Sequence, residues 1–347
     1  MTGPTADAAM APAIRRLHLN ESPYPPSPGV VTAIAAAAAQ ANRYPKPDSD
    51  VLLDALSAYA GAAAERIVVT SGSNELLHLL PLITQAHGAE MVVPDPSFPT
   101  YLKVAGFFGI KVHGVPVRAD GRPDVDALLA AITPGCRMVC VPSPNNPTGG
   151  LLSAAEIERL VAGVPETMLL HFDEAYYEFG RQAGGAEALP LLEKRKGPWM
   201  TSRSFSKAFG LAGLRLGYSI ASDRELAMRV RGLRPNFSVN ALAMAAGVAA
   251  LASLDHMRET VGSIAAERRR LSDGLAAAGL DPLPSAANFV AFAVPASDGD
   301  LAGRLAAMGI LTTAFHMPGN VPAIRITLGR RDDTDAVLDA LSTCRGS

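Results

Sequence analysis

The chain reads as an α/β protein: a mostly parallel sheet covered by helices on both faces, followed by a smaller α+β domain at the C-terminus. Three observations predict this. Short β-branched apolar runs alternate with longer helical patterns through the middle of the sequence. The alternation stops near Asn240, where an Ala-rich helical stretch takes over. A chain of 347 residues that is 48% hydrophobic can bury a large core and is long enough for two domains.

In chain order, "RIVVT" (66–70) is the first strand and runs into the helical pattern "NELLHLLPLITQA". "EMVVP" (90–94), "KVHGVPV" (111–117), "RMVCVPSP" (137–144), "MLLHFDEA" (168–175) and "WMTSRSFS" (199–206) follow as further strands. Strands linked by helical crossovers pair in parallel, and ligands of such sheets gather outside the carboxyl ends of the strands. After Asn240, "ALAMAAGVAALASLDHMRETVGSIAAERRRLSDGLAAAG" reads as one long helix, then "NFVAFAV" and "AIRITLG" as strands with a helix between them. The Pro-rich stretch 23–28 reads as an ordered loop.

The charge balance excludes several function classes. With 31 basic and 33 acidic residues dispersed along the chain, nothing favours nucleic acid or an anionic membrane as partner. Small molecules are the expected partners. Cys136, Cys140 and Cys344 have no metal-ligand spacing, so no metal is expected, and their sparseness suits a reducing compartment. The first residues lack the apolar core of a signal peptide, and the Ala-rich runs are too weakly hydrophobic to span a bilayer. A cytoplasmic protein is expected.

The informative residues stand where strands end. After "RIVVT", Ser71-Gly72-Ser73-Asn74-Glu75 opens a helix whose free N–H groups and positive dipole end suit an anion such as phosphate, although glycine turns before capped helices are common. Asn145-Asn146-Pro147-Thr148-Gly149-Gly150 forms a turn that presents amides at the same edge, or is simply a loop. Asp173 ends an apolar run and needs a partner to stay ionised; a cationic ring nitrogen serves, as does a helix cap or a salt bridge. Tyr176 follows it by three residues, and His171 within the run reads as a satisfied core histidine. Lys207, set between Ser206 and apolar neighbours at another strand end, can lose its proton and attack an aldehyde. A phosphate cradle, an amide donor, an acid with a following phenol and an amine together describe a receptor for pyridoxal phosphate.

At this point the sequence resembles a fold-type I aminotransferase of class I/II, of the histidinol-phosphate aminotransferase branch. "LNESPYPPSP", "NRYPKPDSDVLLDALSAY", "SGSNELL", "PSFPTY", "SPNNPTG", "FDEAYYEF", "SFSKAFGLAGLRLGY" and "IRITLG" occur in the family order over residues 16–345. The resemblance implies a seven-stranded, mostly parallel sheet, with residues 1–44 as an N-terminal segment closing over the site, 45–240 as the large domain and 241–347 as the small one. It implies that Lys207 forms an internal aldimine and shuttles the proton between Cα and C4′. Asp173 would hold the pyridine nitrogen protonated, Asn146 and Tyr176 would bond the phenolic oxygen, and Phe98 would stack on the ring. Gly72, Ser73, Asn74, Ser204, Ser206 and Arg215 would grip the phosphate, with Tyr44 reaching in from the partner of a homodimer. Arg325 would bind the substrate carboxylate. Asn20 and Tyr24, with Glu21 between them, would fold over the substrate, and Tyr101 and Asn146 would face it.

One departure bears on the substrate. Where the branch carries an arginine after the apolar run of "GILTTAF", this chain has Thr313. The expected reaction moves an amino group between an imidazole or aromatic amino compound, histidinol phosphate being the family default, and 2-oxoglutarate. An unphosphorylated amino acid remains open as donor. So do a threonine-phosphate decarboxylase or amino-acid oxidase on the same scaffold, and a non-catalytic pyridoxal-phosphate-binding regulator.

Overall fold

A computed structural model describes residues 14–46, 49–85 and 88–345. Residues 1–13 of the leading stretch read for a signal peptide lie outside the described residues. In chain order the strands are β1 (Arg15–Arg16), β2 (Ile67–Thr70), β3 (Glu90–Asp95), β4 (Lys111–Pro116), β5 (Cys136–Pro142), β6 (Leu169–Asp173), β7 (Trp199–Ser204), β8 (Gly217–Ala221), β9 (Phe289–Ala293), β10 (Ile310–Leu311), β11 (Thr313–Met317) and β12 (Val321–Thr327).

Strands β2 to β8 form one seven-stranded sheet in the order β2-β8-β7-β6-β5-β3-β4. Neighbours pair in parallel except β8, which runs antiparallel to both β2 and β7. Six of these strands follow the sequence reading. The reversed β8 does not, because it returns directly from the "AFGLAGLR" loop with no crossover helix to announce it. Alternation along the strands divides the core between the two faces. Val68, Met91, Met138 and Cys140 pack with the helices Ser73–Thr84, Thr100–Phe108 and Arg224–Leu233. Ile67, Val69, Val139, Val141 and Phe172 belong to the core on the other side, with the helix Ala154–Gly163. Strands buried on both faces are the reason their sequences are continuous apolar runs.

The Ala-rich stretch is two helices, Ala241–Leu251 and Leu254–Ala277, where the sequence reads as one. The first packs on the helices Pro28–Ala38 and Asp50–Ala60, the second on the C-terminal helix Arg331–Arg345, and the chain turns between these two partners at Ser253, whose ψ of 44° is not helical. β11, β12 and β9 make an antiparallel three-stranded sheet. β1 pairs in parallel with β10, and the amide of Thr327 donates to the carbonyl of Leu17 at 2.9 Å. The start of the chain is thereby tied to the C-terminal sheet and led across the carboxyl ends of the large one. Among the described residues no helix is long and apolar enough to cross a membrane.

Candidate active site

A cavity of about 440 Å³ opens at the carboxyl edge of the large sheet, within the usual range for small-molecule sites. At one end lie Ser73, Asn74, Ser204, Ser206 and Arg215. The helix Ser73–Thr84 begins there, so its first amides have no partner within the helix. Glu75 reaches back to accept from the amide of Ser71 at 2.7 Å, which secures the turn. The reversal of β8 explains Arg215: Gly217 pairs with Thr70 at the end of β2 and with Ser204 at the end of β7, so the residues just before β8 emerge at the edge where its neighbours finish. Arg215 adopts a left-handed φ of 56° and donates through Nη1 to Ser206 Oγ at 3.3 Å. Gly72 makes room for the Arg215 guanidinium, and Gly217 lets β8 approach the turn before the helix. A Cβ on Gly72 would lie 2.5 Å from Arg215 Nη2, and one on Gly217 would lie 2.3 Å from the amide nitrogen of Ser73.

Asp173 ends β6 inside the cavity wall and is held from below. Tyr101 donates its hydroxyl to Oδ2 at 2.9 Å, and Ser202 and the amide of Ala175 donate to Oδ1 at 2.9 and 3.0 Å. Ser202 stands opposite Asp173 in the β6–β7 register. Because Ser202 gives its proton to Asp173, His171 is the donor to it, through Nε2 at 3.1 Å. Burial lowers the His171 pKa to about 4 and keeps the ring neutral. Its Nδ1 has no partner among the described residues, so the expected satisfied core histidine is satisfied on one nitrogen only. On the opposite face, the residues alternating with these are locked as well. Arg203 is fully buried, donates to Glu174 at 2.8 Å and lies 3.5 Å from the ring centre of Tyr177. A paired buried charge at this point fixes the strand ends that carry Asp173 and Ser204.

Lys207 points into the cavity and donates to the carbonyls of Leu19 and Asn20 at 3.1 and 3.0 Å. Burial lowers its pKa to about 8, and the nearby Arg325 and Arg215 contribute in the same direction. Asn20 is itself buried with a left-handed φ of 54°; its side chain donates to the Tyr176 hydroxyl at 2.8 Å and accepts from Thr327 at 2.9 Å. Burial raises the Tyr176 pKa. Glu21 also lines the cavity and pairs with Arg16 at 3.1 Å.

Arg325, on β12, closes the other end. It donates to Asn146 Oδ1, to the carbonyl of His18 at 2.6 Å and to Thr313 Oγ1 at 3.0 Å, while its Nε is buried without a partner. Thr313 and Arg325 are register partners across β11 and β12. Phe98 lies on the cavity wall.

Two expected site residues, Tyr101 and Tyr24, stand outside the cavity lining, and Tyr44, expected to act on the partner subunit, lies outside it too. Tyr101 is fully enclosed beneath Asp173 and supports that carboxylate; it does not line the cavity where a substrate would lie. Tyr24 lies under the Arg330 guanidinium, 5.4 Å from its ring centre, outside the cavity lining. Tyr44 is 81% exposed and stacks on Phe237 at 4.5 Å, away from its own chain's cavity. Sequence reasoning missed Ser202 and His18. Ser202 was legible from its alternation with Ser204 along one strand face, whereas His18 reaches the cavity only through the course of the N-terminal segment.

This donor set fits pyridoxal phosphate. Backbone amides, serines and Arg215 converge at the anion end, the Asp173 carboxylate, without a basic side-chain partner among the described residues, stands at mid-cavity, and a lysine of lowered pKa lies between them.

Residues 14–341 match the family "Aminotransferase class I and II". The chain is 36% identical over 329 residues to histidinol-phosphate aminotransferase 2 of Caulobacter vibrioides, covering 95% of this chain and 86% of that relative. It is 39% identical over 327 residues to an aromatic amino acid aminotransferase of Rhodococcus jostii, covering 94% and 89%. Among solved structures, the histidinol-phosphate aminotransferase of Sinorhizobium meliloti in complex with pyridoxal-5'-phosphate superposes with a TM-score of 0.89 at 31% identity, over 96% of this chain and 91% of that one. With strand-end chemistry, topology and sequence in agreement, the chain belongs to the class I and II aminotransferases, fold-type I enzymes that use pyridoxal phosphate to exchange amino groups between amino acids and keto acids.

Proposed function

We propose that the protein transfers the amino group of an imidazole- or aromatic-type amino acid to 2-oxoglutarate in a ping-pong reaction, and that the donor need not be phosphorylated. The observation that carries this reading is the pairing of Thr313 with Arg325: one forked cation suits one carboxylate, and its register partner is a hydroxyl. A second reading, histidinol phosphate as donor, is favoured by the names of several relatives; Arg325 would then hold the phosphate in place of a carboxylate.

Pyridoxal phosphate supplies the aldehyde that takes up the amino group and the ring that receives the electron pair of the Cα–H bond. The residues around it divide the work. Ser204, Ser206, Arg215 and the amides of Ser73 and Asn74 would bind the phosphate, and the Tyr101 and Ser202 hydroxyls hold the Asp173 carboxylate in place to face the ring nitrogen. Tyr176 and Asn146 would bond the phenolic oxygen and Phe98 would pack on the ring, all three lining the cavity. Lys207 Nζ, its pKa lowered by burial, would be the amine that holds the cofactor and the base that moves the Cα proton. The segment Leu19–Glu21 excludes water above the lysine.

The same reading makes the protein a cytoplasmic homodimer in which Tyr44 reaches the phosphate of the partner subunit, an assignment supported by the exposed stack of Tyr44 on Phe237. It keeps the division at about residues 44 and 240. Keto-acid formation measured across a panel of donors and acceptors tests the activity, and sedimentation equilibrium tests the dimer. Loss of CO₂ or production of peroxide in place of keto-acid exchange would overturn the proposal.

A further inference from the structure

At the opposite edge of the large sheet, the first residues of two parallel strands and the third of another bring unlike ligand atoms together. Glu90 begins β3, Cys136 begins β5, and His113 lies on β4. Glu90 pairs with Lys111 on β4 and with Cys136 on β5, so Glu90, His113 and Cys136 share one face of the sheet. A register shift follows Glu90 in the β3–β5 pairing; such bulges re-aim side chains at sheet edges. One nitrogen, one sulfur and one carboxylate oxygen result, all within 4.8 Å of one another.

We propose that Glu90, His113 and Cys136 form a binding site for a single divalent transition-metal cation of zinc's class. The set combines borderline-soft and hard donors in the mixture such ions take. Bonds of about 2.0–2.3 Å in a tetrahedral shell set ligand atoms roughly 3.3–3.8 Å apart, so the hydrogen-bonded His113 Nε2 and Glu90 Oε2 must part as the ion enters while the other separations, none above 4.8 Å, adjust to that range, with water in the fourth position. The groups that orient the ligands are present: Thr133 donates its hydroxyl to Glu90 and its amide to Cys136 Sγ at 3.4 Å. His113 Nε2 lies 2.7 Å from Glu90 Oε2, and both side chains are 22% exposed, which leaves an approach to the otherwise buried thiol. On binding, the metal–sulfur bond replaces S–H and one proton leaves to solvent, while the imidazole ligates through Nε2 with its proton on Nδ1. No change of oxidation state is involved. Lys111, 3.3 Å from Glu90 and 66% exposed on its side chain, competes for the carboxylate and must swing away.

The test uses holoenzyme treated with a chelator and titrated with Co²⁺ and, separately, Zn²⁺. Co²⁺ is expected to give a thiolate-to-metal charge-transfer band in the difference spectrum, and Zn²⁺ to remain at one equivalent per chain after gel filtration. Cys136→Ser should abolish the band, and His113→Gln and Glu90→Gln should each weaken Zn²⁺ binding by at least about tenfold, the scale on which even outer-shell partners act. Lys111→Ala should tighten it, an effect that a purely hydrogen-bonded cluster does not produce; this variant leaves all three ligands intact and guards against misfolding of the others. Zn²⁺ retained equally by wild type and Cys136→Ser, absence of the cobalt band, or indifference to Lys111→Ala would each overturn the site.

Discussion

The side-chain amide of Asn20 donates to the hydroxyl of Tyr176 at 2.8 Å, linking the segment that follows β1 to the turn after the strand that carries Asp173. The carbonyl of the same asparagine accepts from Lys207, and its backbone amide donates to Thr327 at 2.9 Å. One residue near the N-terminus thus connects three parts of the site, each more than a hundred residues away from it in sequence.

Asn20→Ala removes the buried bond to the Tyr176 hydroxyl and the acceptor of the Thr327 hydroxyl, while the backbone amide of residue 20 still donates to Thr327. An unsatisfied buried group costs about 1–3 kcal/mol, so denaturant unfolding should show a loss in that range. The same variant should bind substrate more weakly, because the covering segment loses its anchor. Unchanged stability together with an unchanged KM would remove Asn20 from the site.

The lowered pKa of Lys207 sets a pH dependence for cofactor uptake. The neutral amine is the reactive form, so association of pyridoxal phosphate with apoenzyme should rise with pH up to about 8 and level off above it. Below that point the rate should fall about tenfold per pH unit. Arg325→Met removes a cation that depresses this pKa, and should move the midpoint upward. Peptide mapping after borohydride treatment of the holoenzyme checks the residue itself: cofactor found on another lysine would refute the assignment.

Asp173→Asn should keep the fold and lose activity by at least about 10²- to 10⁴-fold, the usual range for acid–base roles. The amide cannot hold the ring nitrogen's proton. It also cannot accept on both atoms from Tyr101 and Ser202, so one of those donors loses its acceptor. Steady-state rates with circular dichroism as the control for folding decide this; near-normal turnover would sink the role.

Thr313→Arg places a second guanidinium next to Arg325, its register partner. Hydrogen bonds to charged groups are worth roughly 1.5–3 kcal/mol, so kcat/KM for histidinol phosphate should rise by about 10- to 150-fold relative to that for phenylalanine or histidine. If wild type already prefers histidinol phosphate by orders of magnitude and the substitution adds nothing, then the second reading of the function replaces the first.

Much of this site was legible because its chemistry is local. Asp173, Asn146, Ser73, Ser204 and Lys207 each follow an apolar run within a few residues, and in a parallel sheet all such ends share one edge. The Ala-rich region shows the converse. Its propensity is helical throughout, and the break at Ser253 reflects a change of packing partners that no local preference records.

By itself, then, the sequence determined the sheet, the edge that carries the chemistry and the identity of the groups placed there, because periodicity and strand ends are properties of short stretches of chain. Only the tertiary structure decided which groups meet. The antiparallel β8 returns Arg215 to the phosphate end, Tyr101 supports Asp173 from beneath, Thr313 pairs with Arg325, and Glu90, His113 and Cys136 converge at the far edge. These are relations between residues distant in sequence, set by strand order and register, and no short stretch of the chain contains them.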